Sequence, residues 1–348
     1  MLLYIHIPFC ASKCGYCGFN SLTNMLDFKG QYLEALKNDL ITSLPFKEKF
    51  SSVYIGGGTP NTLNPSDYEE IFSILQGRIK QDAEITIELN PNALQIATLR
   101  EFSDLGINRF SIGVQSFNER KLQLLEREHS PKIAYKFIEN ALKCGVSVSI
   151  DLIYDTLLDD KALLELELET AINLGIGHIS CYTISLDKNS AFFRKNKNIM
   201  RDSSLCYDLK EILSTHNFAQ YEVSNFAKTH KSKHNLGYWA YSDYIGVGLG
   251  AVGKITSENG VYRTYKSGDF KAYLSNPNAV KKEFLSENDI ILEKIFLGLR
   301  SEIGVEKSLI RNAERLKILL ESGRVRQKNG LIYATNYFLA DEIALFLI

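Results

Sequence analysis

The sequence predicts an α/β protein: an open or partial barrel of six β/α units, then a small, mostly helical C-terminal domain. Two observations carry that expectation. Through the first half, short apolar β-type runs alternate with longer amphipathic stretches, the pattern of parallel strands joined by right-handed helical crossovers. From about residue 265 onward the pattern turns mostly helical. The expected division is 1–255 for the barrel and 256–348 for a helical or winged-helix-like domain.

The strands expected in order are Leu2–Ile7, Val53–Gly56, Glu84–Asn90, Arg109–Val114, Val146–Ile153 and His178–Thr183. Helical patterns lie between them at Phe28–Ser43, Ser66–Gln76, Leu94–Leu105, Pro131–Cys144 and Lys161–Leu174. A closed eightfold barrel would need two further units before about residue 250, and segment 218–253 is instead irregular and rich in glycine. The tail ends in a candidate hairpin, GRVRQKNGLIYA. No repeat or low-complexity linker interrupts the chain.

The 348 residues are 45 % hydrophobic and 23 % charged, ordinary values for a globular protein with a sizeable core. A net charge of −1 gives no global footprint for nucleic acid or an anionic membrane. The start MLLYIHIPFC is too short for a signal peptide, and no apolar run of about 18 residues suggests a transmembrane helix. Six cysteines in a long chain without a leader read as a metal site plus scattered buried thiols in a reducing cytoplasm, not as a disulfide framework.

Half of those cysteines, Cys10, Cys14 and Cys17, fall within eight residues just past the first strand. The spacing is C-x3-C-x2-C, with no obvious fourth ligand nearby. Structural zinc sites are four-coordinate, so zinc and buried structural thiols stand as alternatives. Three thiolates on a four-iron cluster would leave one iron open to a small molecule. The loop is rich in Gly, Ser and Lys and lies at the carboxyl end of a strand, where parallel α/β sheets place their sites.

This spacing after a first strand resembles the signature of radical S-adenosylmethionine (SAM) enzymes. The resemblance implies a partial (β/α)6 barrel, a [4Fe-4S] cluster on Cys10, Cys14 and Cys17, and SAM chelating the fourth iron. Further segments extend it: YIHIPFC, GGGTP, ELNP, SIGVQS, LxRxH and DLIY together resemble the oxygen-independent coproporphyrinogen III oxidase group over roughly residues 2–255. By that resemblance Tyr4, Gly57, Gly58, Thr59, Glu88, Gln115, Arg127 and Asp151 fall on SAM-contacting positions, and Tyr16 on an aromatic one that packs against adenine. The residues agree in part. Glycines at 56–58 let a ligand approach the backbone. Glu88 and Asp151 are carboxylates in apolar strands. In LLYIHIP, Tyr4 and His6 share the face opposite Leu3, Ile5 and Ile7. His129 follows Arg127, and a satisfied core histidine is the alternative for His6.

Within the group, three features point toward the heme chaperone branch rather than the oxidases. Phe19 stands where oxidases commonly carry a further cysteine. The chain begins at the strand, without the oxidases' N-terminal extension. The segment HNLGYW, His234 to Trp239, and YEVSNFAK are similar to that branch. His234 is therefore expected to contact heme, with Tyr238 and Trp239 stacking on the macrocycle and Cys181 and Cys206 as alternative axial ligands. Two departures lie near the expected ligand mouth: DLIYDTL with Asp155, Thr156 and Leu157, and GAVG with Val252. The function implied is a chaperone that delivers heme to a respiratory heme protein. The alternative is an oxygen-independent coproporphyrinogen III oxidase, and an RNA-modifying radical SAM enzyme is disfavoured by the balanced charge. Expected partners are heme or a porphyrin, the heme acceptor, a reductant protein and a second copy of the chain; nucleic acid is not among them. The expected location is cytoplasmic, with peripheral membrane association as an option.

Overall fold

The computed structural model describes residues 1–45, 48–92, 97–266 and 268–348. Six parallel strands stand side by side in sequence order: β1 (Leu2–Ile7), β2 (Phe50–Gly57), β3 (Ile79–Leu89), β4 (Arg109–Gln115), β5 (Ser147–Tyr154) and β6 (His178–Thr183). Each faces helices with one set of alternate residues and the barrel interior with the other. In β1, Leu3, Ile5 and Ile7 are fully buried in the shared apolar core, while Tyr4 and His6 turn inward.

The crossover helices form where apolar spacing and caps agree. Pro131–Leu142 begins at Ser130, whose side chain accepts from the Ile133 amide, and has Pro131 in its first turn. It buries Ala134, Phe137, Ile138 and Ala141, one stripe at helical spacing. Lys161–Asn173 begins in the same way at Asp160. The helix expected over Leu94–Leu105 is described as Thr98–Asp104; positions 94–96 of that expectation lie outside the described residues.

The sheet does not stop at six strands. Tyr244–Val247 pairs in parallel with β1 on its outer edge, and Val252–Ser257, Gly260–Tyr265 and Lys281–Phe284 continue from it as an antiparallel meander. On the other edge Asn225–Ala227 runs antiparallel to β6. The division expected at residue 255 thus falls inside a strand. The second apolar core starts near Ile291, and it joins helices Glu287–Leu299, Ala313–Glu321 and Ala340–Leu347 to a small antiparallel sheet. The GRVRQKNGLIYA hairpin belongs to that sheet, as strands Val325–Lys328 and Leu331–Ala334. No helix of the described residues is long and apolar enough to cross a membrane.

Candidate functional site

Beyond Ile7 the chain makes a two-residue parallel pairing, Phe9 with Leu22 and Cys10 with Thr23, which closes the cysteine loop at its base. The Leu22 amide donates to the Pro8 carbonyl at 2.7 Å, and inside the loop the Cys17 amide donates to the Cys14 carbonyl at 3.1 Å. Cys10, Cys14 and Cys17 are free thiols, each partly exposed. Against them packs the end of β2. Gly57 has φ +122°, a conformation that favours glycine, and a Cβ there would lie 2.7 Å from the Ile7 carbonyl oxygen. A Cβ on Gly58 would lie 2.9 Å from the Cys10 sulfur. The glycine turn therefore lets β2 press directly on the cysteine loop. Thr59 follows, with its hydroxyl 3.4 Å from the Cys10 sulfur.

These groups form one wall of a cavity of about 530 Å3 at the carboxyl ends of the strands, a size typical of small-molecule sites. Of the residues expected around SAM, Tyr16, Gly57, Gly58, Thr59, Glu88, Gln115, Arg127 and Asp151 line it, together with all three cysteines. Glu88 accepts from the Tyr54 hydroxyl at 2.7 Å and from the Gly57 amide at 3.2 Å. Burial nonetheless pushes its carboxyl up to about 7, with the neighbouring charge of Asp151 adding to the rise. Burial likewise raises Asp151 to about 6, partly offset by bonds from Ser180 and Ser111. The Arg127 guanidinium donates to the Cys14 sulfur at 3.4 Å and to the Gly113 carbonyl at 2.9 Å, so it ties the cysteine loop to β4. Gln115 takes φ +66° at the end of that strand.

Sequence reasoning missed Arg109, Tyr54 and Ser180, which also line the cavity. The signal was present in strand alternation: Arg109, Ser111, Gly113 and Gln115 share one face of β4. Arg109 is almost fully buried, donates to Ser149 Oγ at 2.8 Å and leaves its Nε without a partner.

Several expected residues sit elsewhere. Tyr4 does not line the cavity; its hydroxyl lies 3.0 Å from His6 Nδ1, and its ring stacks on Tyr54. His6 in turn donates through Nε2 to the Asn20 carbonyl, so it is a satisfied core histidine. His129 bonds the Val114 carbonyl beneath the rim, and burial lowers its imidazole to about 4. His234, expected beside heme, is 1 % exposed. It lies in helix Lys233–Trp239, which plugs the amino ends of the strands; its Nδ1 is 2.7 Å from Ser52 Oγ, and its ring packs between Tyr54 and Tyr238. Burial drives its imidazole down to about 3. His234 thus lies in the barrel floor and is not among the residues that line the cavity. Cys181 is buried in the core, and neither it nor Cys206, Val252, Tyr238 or Trp239 lines the cavity.

The DTL departure has a structural reason. Asp155 takes φ +66°, a conformation a glycine adopts freely. Its carboxylate accepts from Ser204 Oγ at 2.6 Å and the Leu205 amide at 2.8 Å, at the start of helix Cys206–Thr215. Thr156 is held by Asp159, which joins Glu167 on the fully buried Lys121 ammonium.

Free thiols are the donor type that iron–sulfur clusters take, and the glycine turn brings their loop onto the cavity wall. Among the described residues, no three His, Cys, Asp or Glu side chains gather tightly enough to hold one ion. The architecture is thus a partial β/α barrel with a three-cysteine loop and a polar cavity at its carboxyl face. The family model for the radical SAM superfamily matches residues 4–180. The heme chaperone HemW of Buchnera aphidicola from Schizaphis graminum is 35 % identical over 299 residues, covering 82 % of this chain and 79 % of its own. That of Bacillus subtilis is 31 % identical, with 96 % of this chain and 94 % of its own covered. The solved coproporphyrinogen III oxidase HemN of Escherichia coli superposes with a TM-score of 0.82 at 22 % identity, over 99 % of this chain and 89 % of its own. The chain belongs to the radical SAM superfamily and, within it, to the HemW-like heme chaperone branch.

Proposed function

We propose that this protein is a heme chaperone that holds a [4Fe-4S] cluster and SAM in the cavity, binds heme at its mouth and passes heme to a respiratory heme protein. One observation carries the cofactor part: three free thiols, a glycine turn and two half-buried carboxylates line the same cavity. Cys10, Cys14 and Cys17 would hold the cluster, which when bound supplies an electron-transfer centre with one iron open to a ligand. Gly57 and Gly58 present bare backbone to the SAM amino acid portion, and Tyr16 offers its ring to the adenine. Glu88, with a carboxyl titrating near 7, takes up or gives up a proton at Oε2 as the ligand demands. Gln115 and Asp151 complete the polar wall, and Arg127 brings the positive charge that a carboxylate group requires.

For heme, the cavity has no histidine among its lining residues. Phe19 is 71 % exposed at the mouth and Tyr182 42 %, which offers flat apolar surface to a macrocycle. Lys13 lines the same mouth and suits a propionate. The curated relatives named above are heme chaperones, which supports this reading over an oxidase. The six free cysteines suit a reducing cytoplasm, and a cluster implies a reductant protein as partner.

The test is a heme titration followed through the Soret band. A saturable shift is expected, and its absence overturns the chaperone reading. In parallel, the anaerobically reconstituted protein is given coproporphyrinogen III, SAM and reductant. Protoporphyrinogen formed over many turnovers would establish the oxidase instead.

A further inference from the structure

We infer that Thr59 and Arg127 are positioning residues that set the reduction potential of the cluster by hydrogen-bonding two of its thiolates. The inference rests on the cluster reading above and goes beyond it. Each sulfur of the loop has its own donor. Thr59 Oγ1 lies 3.4 Å from Cys10 Sγ. A metal-bound thiolate carries no proton, so the hydroxyl donates. Arg127 Nη1 donates to Cys14 Sγ at 3.4 Å. The backbone amide of Phe19 donates to Cys17.

The two side-chain donors are held where they are by other bonds. The Thr59 amide donates to the Phe9 carbonyl at 2.8 Å, one residue before Cys10, and its carbonyl accepts from the Thr62 hydroxyl at 2.8 Å. Thr59 is 8 % exposed, so the hydroxyl has little water to turn toward. Arg127 spends its second nitrogen on the Gly113 carbonyl at 2.9 Å, and its guanidinium also reaches Tyr16. Neither residue was expected at the sulfurs; the resemblance placed both on SAM.

A hydrogen bond to a cluster thiolate strengthens as the cluster gains negative charge, so it favours the reduced form and raises the potential. A charged donor does so more than a neutral one. The third donor is backbone, so the side chain at position 19 changes without altering it. That leaves position 19 free to differ from a cysteine.

The experiment is a dye-mediated redox titration, without SAM, of the reconstituted full chain, with iron counted in each sample. Thr59→Val and Arg127→Gln are expected to lower the midpoint potential, Arg127→Gln more. At a fixed solution potential the ratio of reduced to oxidised cluster falls by roughly threefold to tenfold per lost bond. Thr59→Ser keeps the hydroxyl and holds the wild-type potential. Wild-type midpoints in both variants at full iron content overturn the inference, as does a Thr59→Ser that shifts as far as Thr59→Val. If Thr59→Val takes up no iron, Arg127→Gln carries the same test at Cys14. A wild-type chain that takes up no iron fails the cluster reading itself, and is told apart from the other outcomes by the iron count.

Discussion

Glu84 and Glu88 lie four residues apart on the same inward face of β3, and their carboxyls are shifted in opposite directions. Glu84, at the amino end, accepts from His230 Nε2 at 2.7 Å, from the Lys233 and His234 amides at 3.0 Å and from the Ser232 hydroxyl at 3.3 Å. The bonds from His230, His234 and Lys233, with the Arg109 charge, outweigh burial and hold its carboxyl down at about 2. Glu88, at the carboxyl end, has two donors and is pushed up to about 7. Glu84 is satisfied by the protein itself, chiefly by the helix that starts at Lys233. The top is left short of partners beside a cavity. The contrast separates groups that hold the fold from groups that await a ligand.

The strongest way to break this contrast is at the cysteines. Cys10→Ala, Cys14→Ala and Cys17→Ala are each expected to abolish iron uptake and the absorbance near about 400 nm of the reconstituted cluster. Their unloaded forms melt within a few degrees of the unloaded wild type, because the thiols are partly exposed. Cys144→Ala, on the outer side with its thiol on the Asn140 carbonyl, should load normally. Equal iron loss there would mean a different ligand set.

Next comes the floor. Glu84→Ala should lower stability by about 3 kcal/mol in denaturant titrations, since it strands the buried His234 amide and the buried Ser232 hydroxyl. The half-exposed His230 adds little. A Glu84→Ala chain as stable as wild type would show that the helix does not depend on this cap. His234→Ala should cost roughly 2 kcal/mol, through the lost Ser52 bond and ring packing. In the folded variant the Soret titration should match wild type. A lost Soret shift at unchanged stability would restore His234 to the heme.

The sequence made the barrel legible because each unit repeats one physical pattern. The bounds Leu2–Ile7 and His178–Thr183 were readable in full, as apolar runs bracketed by turns. β3 begins earlier than expected, at Ile79, because its leading residues Lys80, Gln81 and Asp82 are exposed and carry no alternation. Tyr244–Val247 was hidden by the glycines after it: Gly248 and Gly250 look like a loop, and both take positive φ. The clustering of the thiols was legible through spacing, whereas the glycine turn gained its meaning from the resemblance. At His234 an imidazole beside a tyrosine and a tryptophan reads equally well as a ligand or as packing, and only tertiary structure shows its contacts with Ser52 and Tyr54. Thr59 and Arg127 were found, but their bonds to sulfur depend on a meeting of β2, β4 and the cysteine loop that no local pattern encodes.

The smallest expected effect sharpens the comparison through pH. In the unfolded chain both glutamates titrate near their ordinary value, about 4.5. Folded Glu88 keeps its proton up to about 7. Between those two values the folded state binds the extra proton, so its contribution to stability falls as pH rises and is lost above about 7. Glu84 behaves in the opposite sense: its stabilisation is present above the unfolded value and is lost only as pH falls toward about 2. Glu88→Gln removes the first dependence. Its stability relative to wild type should therefore rise between pH 5 and pH 8, by on the order of 2 kcal/mol. Glu84→Gln should be less stable than wild type by an amount that stays constant over that range, because folded Glu84 is ionised throughout. Urea titrations of the three proteins at the two pH values decide it: parallel curves for Glu88→Gln and wild type would mean that Glu88 is ionised in the folded cavity, and that the top of the barrel is as well satisfied as its floor.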